Sequence, residues 1–153
     1  MKKFRGKKRY FHNIRAKVNT FQLELDNDTW FDIDESHLDW YGVGNDSTKI
    51  RREHIKAYLV LYERVLNQLK MFTKPYQSWI FVDEKDAGQD AIFIHSSNPN
   101  DDNFPHKINE LNWNCNIPKT FRNLIDRSEF SVGHYYSKCG NGDRYIIQSK
   151  NRI

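Results

Sequence analysis

The residue pattern predicts an α+β domain, a mainly antiparallel sheet of about four to five strands packed against two or three helices. Three observations carry this. Residues 47–71 hold an apolar stripe at helical spacing; residues 76–82 and 91–95 are aromatic and branched runs around a polar loop; residues 130–136 and 145–148 flank a Gly-rich turn. The 153 residues fit a single domain, 1–153, large enough to bury about 70% of the surface of its unfolded chain. Four Trp, eight Tyr and ten Phe supply its core and set the chain apart from disordered sequences of comparable polarity.

Taken in order, residues 9–25 place Phe11, Ile14, Val18, Phe21 and Leu25 three or four apart, an amphipathic helix behind a basic tail of about residues 1–9. Residues 26–46 scatter Trp30, Phe31, Ile33, Leu38, Trp40 and Tyr41 among acids and end on Gly42 and Gly44, an ordered irregular segment with one short strand. Asp46 or Ser47 can cap the long helix, whose stripe is Ile55, Tyr58, Leu59, Tyr62, Leu66 and Leu69; Pro75 stops it. The runs 76–82 and 91–95 form a hairpin of central strands. Residues 96–107 are turn-rich. Pro118 opens a short helix to about residue 126, and the last hairpin turns at Cys139-Gly140-Asn141-Gly142-Asp143.

Charge is sorted along the chain. Residues 1–17 carry eight bases (Lys2, Lys3, Arg5, Lys7, Lys8, Arg9, Arg15, Lys17) and no acid, whereas residues 18–48 carry eight acids and no base, so the net +4 hides two opposite patches. Segregation of this kind points to a charged partner, to contact between the patches, or to head-to-tail pairing in a homo-oligomer. No apolar run follows the basic terminus and none reaches about 20 residues, so neither secretion nor a membrane span is expected and the protein is placed in the cytoplasm. Cys115 and Cys139 are then reduced thiols, and the triplets at Asn27 and Asn45 carry no glycan.

Catalytic motifs are sparse. The six histidines, His12, His37, His54, His95, His106 and His134, have no paired metal spacing. Asp26, Asp28, Asp32 and Asp34 fail as a calcium loop because Trp30 sits at a ligand position and the obligatory Gly is missing. No cofactor or metal is expected. Gly42-Val43-Gly44-Asn45 is a turn into a capped helix rather than a phosphate cradle, as Asp46 would repel an anion there. His95, in Ile94-His95-Ser96-Ser97, is half of a two-histidine phosphoesterase pattern. A metal-independent ribonuclease would need it to meet His134 or His106, with Arg144 or Lys107 neutralising phosphate. The plainer reading leaves His95 bonded to its turn and His134 facing outward.

Two surfaces suit binding. Lys2, Lys3, Arg5, Lys7, Lys8 and Arg9 alternate with Phe4, Tyr10 and Phe11, the mixture that neutralises phosphates and stacks on bases. The acidic 26–46 segment, with Trp30, Asp32, Asp34, Glu35, Asp39 and Trp40, suits the basic cleft of a nuclease toxin.

The opening Lys3-Phe4-Arg5-Gly6-Lys7-Lys8-Arg9, with its amphipathic helix, resembles the start of an uncharacterised family of small bacterial proteins found among polymorphic-toxin and immunity genes. The resemblance lies mainly in residues 1–25. The blocks from His37 to Asn45 and from His95 to Asn100 also have the look of family signatures. It implies a cytosolic protein that binds a cognate toxin, and assigns no site residue; the net positive charge departs from the acidic character common in nuclease immunity proteins. The expected function is therefore non-enzymatic: an immunity protein acting by direct contact. The alternative is an RNA-binding protein or ribonuclease.

Overall fold

The computed structural model describes residues 6–25, 30–38, 52–74, 76–83, 91–96, 111–137 and 142–150. Two long helices, α1 (Lys7–Thr20) and α2 (Arg52–Leu69), accompany strands β1 (Trp30–Asp34), β2 (Gln77–Asp83), β3 (Ala91–His95), β4 (Phe130–Ser137) and β5 (Gly142–Ser149). A 3-10 turn spans Glu35–Leu38, and a single-turn helix, α3, spans Lys119–Arg122. The α+β class with an antiparallel sheet is thus confirmed. The strands lie in the order β1-β3-β2-β5-β4, every neighbour antiparallel.

Helix α1 follows from its sequence as far as Val18. Phe11, Ile14 and Val18 recur every three or four residues and are buried, each worth about 1.5–3 kcal/mol of apolar burial. The helix starts at Lys7, so the last residues assigned to the basic tail are helical. It stops at Thr20 rather than near residue 25, because α2 captures the next backbone groups. The Phe21 carbonyl accepts from Arg64 Nε at 2.7 Å and Gln68 Nε2 at 3.2 Å, while the Leu23 amide donates to Gln68 Oε1 at 2.6 Å. Leu23 rather than Leu25 is buried as a result.

Helix α2 buries His54, Ile55, Ala57, Tyr58, Leu61, Tyr62, Val65 and Leu69. The expected stripe is rotated slightly, since Leu59 and Leu66 are only half-buried. Its end tightens into 3-10 bonds from the Met71 amide to the Gln68 carbonyl and from Phe72 to Leu69. The predicted caps Asp46 and Ser47, and the stop at Pro75, lie outside the described residues.

Alternation along each strand builds two apolar faces. Ile33, Ile80, Val82, Ile92, Ile94, Val132, Tyr145 and Ile147 join the helices in the larger core. Trp79 and Ile146 point the other way, with Trp30, Phe93 and Tyr135, beneath Leu111 and Trp113. Asn112 bridges His134 on the outer edge of β4 through paired 3.1 Å bonds, which hangs Leu111 and Trp113 over Gly133. A Cβ at Gly133 would fall 2.9 Å from Leu111 Cδ1 and 3.2 Å from Trp113 Cε3. Gly133→Ala is therefore expected to cost about 1–3 kcal/mol, although strand propensity alone favours alanine. Thermal melts decide this: a variant as stable as the wild type would mean that the 111–113 strap does not pack there.

Candidate functional site

The acidic segment is held by its apolar residues. Ile33 is 0% exposed and Leu38 1% exposed, so β1 and the following turn are clamped to the larger core from one face. From the other face Trp30 reaches the second cluster, its ring centroid 4.9 Å from that of Phe93, 5.3 Å from His95 and 6.1 Å from Trp79. Trp30 is consequently a half-buried anchor. Asp32 lies two residues on, on the same face, opposite Phe93 in the register, and is exposed. Asp34 closes β1 and Glu35 opens the 3-10 turn; Asp39 and Trp40 lie outside the described residues. As the terminal strand of the order, β1 has only β3 beside it among the described strands.

The catalytic alternative required His95, His134 and Arg144 to converge, and the register keeps them apart. His95 pairs with Gln77 of β2, whereas His134 pairs with Tyr145, which pairs with Val82 of β2. The two histidines are therefore separated by about 17 Å along the strands and about 14 Å across them, on opposite faces. Arg144 shares a face with His95 but sits at the His134 end, opposite Asp83. This correction follows from strand parity, which the spacing of isolated histidines does not reveal. His106 and Lys107 lie outside the described residues.

His95 is only 8% exposed, with its ring against Trp30. His134 is partly exposed; its Nε2 lies 2.9 Å from Asp143 Oδ1 and its ring is 5.1 Å from Tyr145. A carboxylate can orient an imidazole for proton transfer, but His95 is at a distance and Arg144, though close along the strands, lies on the opposite face of the sheet. Cys115 is a free, buried thiol whose pKa burial pushes up, partly offset by Arg127. That environment opposes thiolate chemistry. Among the described residues no group of three or more His, Cys, Asp or Glu could hold a metal ion.

The basic candidates divide. Lys7, Lys8 and Arg9 are exposed in the first turn of α1, after Gly6 at φ 91°, with no acid in that turn and no side-chain cap. Cations there oppose the helix dipole. Two of the three aromatics expected to stack on bases turn inward instead: Phe11 is 4% exposed, and the half-buried Tyr10 holds its hydroxyl 2.9 Å from His54 Nε2, while Phe4 lies outside the described residues. Lys2, Lys3 and Arg5 lie outside the described residues. No described helix is long and apolar enough to cross a membrane. No family model, curated protein or solved structure matches the chain.

Proposed function

We propose that this protein is a non-enzymatic binding protein, an immunity protein that neutralises a bacterial toxin domain by direct contact through β1 and the turn after it. The observation that carries the reading is the anchoring of this acidic segment: Ile33, Leu38 and Trp30 fix it from both faces while Asp32 remains exposed on the sheet's edge strand. An edge anchored in this way presents the Asp32 carboxylate at a defined place, which lowers the ordering cost of binding. It steers a basic cleft toward itself, and an edge strand offers backbone groups for pairing. The dispersal of His95, His134 and Arg144 favours binding over catalysis at those residues.

A second reading, RNA binding, is favoured by the exposed Lys7, Lys8 and Arg9 against the α1 dipole, since an anion at that end would compensate both the charges and the free amides. The inward turn of Tyr10 and Phe11 removes those two rings from base stacking.

Tagged wild-type and Asp32→Lys proteins should be used to capture partners from native lysate, with and without nuclease. A stoichiometric protein retained through nuclease treatment, whose association slows about tenfold with Asp32→Lys at low salt, is the expected result. A retained partner indifferent to Asp32→Lys would exclude this edge as the interface, and recovery of RNA lost on nuclease treatment would favour the second reading.

A further inference from the structure

α1, α2 and the 124–130 segment, which leads into β4 at the opposite end of the strand order from β1, enclose a half-open groove of about 510 Å³. Its apolar surface comes chiefly from Leu59, Val60 and Leu124, over the buried Val18, Ala57 and Phe130. Val60 is 49% exposed, one of the few large apolar side chains so open among the described residues. The α2 wall runs Glu53, Lys56, Ala57, Val60 and Glu63, one helical face about 15 Å long, enough to lie along nearly three turns of a second helix.

The charges of the lining are unbalanced. Glu53 takes both cations: Arg15 Nη1 lies 3.8 Å from its Oε2 and Lys56 Nζ 3.4 Å from its Oε1. Glu63, Asp126 and Glu129 complete the rim, and among the described residues no ion pair engages them. Asp126 is held in its charged form, its carboxyl pKa lowered by hydrogen bonds from Ser128 and further by the nearby Lys150. Three carboxylates thus surround an open apolar floor. Lys7, Lys8 and Arg9 stand at the other end of α1, two turns from Arg15.

We propose that this groove docks a cationic amphipathic helix of a partner protein, its apolar stripe on Val60, Leu124 and Phe130 and its Lys or Arg side chains on Glu63, Asp126 and Glu129. Charge complementarity selects that occupant: an acidic or uncharged apolar helix would bury the floor equally well and leave the rim carboxylates repelled or unmatched. The site is separate from the β1 edge and stands whether or not the immunity reading does.

Two synthetic amphipathic helices of about four turns provide the probe. They share a leucine stripe, and one carries Lys and the other Glu at the polar positions; fluorescence anisotropy measures their binding to the full chain. The Lys helix is expected to bind at least about tenfold tighter, Val60→Asp to weaken it, and Glu63→Lys with Glu129→Lys to reverse the preference. All three positions are solvent-accessible, and circular dichroism checks that the variants fold. Equal binding of the two helices, binding by neither, or a preference unmoved by the double variant would overturn the proposal. So would an equal loss on Asp32→Lys, since attraction would then be to the protein's overall field rather than to this groove.

Discussion

Trp79→Ala is expected to destabilise the protein by about 3–5 kcal/mol, the largest loss of any single truncation here. Trp79 is 0% exposed at the centre of the sheet, on the face away from the helices. Its ring stacks 6.2 Å from Phe93 and meets Trp30 edge-on at 6.1 Å. Removing it opens a cavity under the 111–113 strap and deprives Trp30 of a neighbour, so the acidic edge loses its hold together with the core. With total stabilities of about 5–15 kcal/mol for a domain of this kind and a urea slope of about 1–3 kcal/mol per M, the unfolding midpoint should fall by roughly 2 M. A fall of only a few tenths of a molar would mean that the second cluster does not belong to the cooperative fold.

Tyr62→Phe removes one oxygen and is expected to cost about 1–3 kcal/mol. The fully buried hydroxyl donates to the Ser78 carbonyl of β2 and accepts from the Ser149 amide of β5 at 3.3 Å, tying α2 to two strands. Phenylalanine keeps the packing but leaves those two backbone groups without it. The same burial raises the Tyr62 pKa far above its ordinary 10.0, with the Ser149 hydrogen bond offsetting only part of the shift. The folded state therefore keeps its proton at pH values where the unfolded chain has released it. Below pH 10 the group adds no slope; above it, stability falls by up to about 1.4 kcal/mol per pH unit until the folded pKa is reached. Urea titrations at pH 8 and pH 10.5 should show a smaller loss for Tyr62→Phe than for the wild type. Equal losses would mean that Tyr62 is not the group responsible.

The strands were legible because their signals are local. The runs at 76–82 and 91–95 alternate side chains that both need cover, and they became paired central strands within a residue of the expected bounds. The single strand expected among the acids of 26–46 is Trp30–Asp34. Legibility failed where a distant group intervened. Nothing in residues 21–25 says that Arg64 and Gln68 will take the Phe21 and Leu23 backbone, so a helical spacing ran on past the true end of α1. The candidate residues were harder still. Whether Trp30 was anchor or contact depended on Phe93 and Trp79 crossing beneath it, and the separation of His95 from His134 on strand order. The groove was invisible for the same reason: its lining comes from three remote segments, and only Val60, an apolar residue on a helix face shared with Glu53, Lys56 and Glu63, hinted at it.

The place of β1 in the sheet has a kinetic consequence. The β2–β3 and β4–β5 pairs each close a short loop, but β1 reaches β3 only after all of α2 and β2 have been placed between them in the chain. The β2–β5 pairing, with Ile80 opposite Ile147, spans at least as much chain as Ile33 opposite Ile92, so early loop closure is costly for both. What sets β1 apart is its single neighbour: among the described strands only β3 holds it, so its ladder opens locally more readily than those of β2 and β5. Its amides should exchange with solvent hydrogen well before those of β2 and β5. Any partner gripping β1 would slow that exchange, so its grip would register as protection of this one strand.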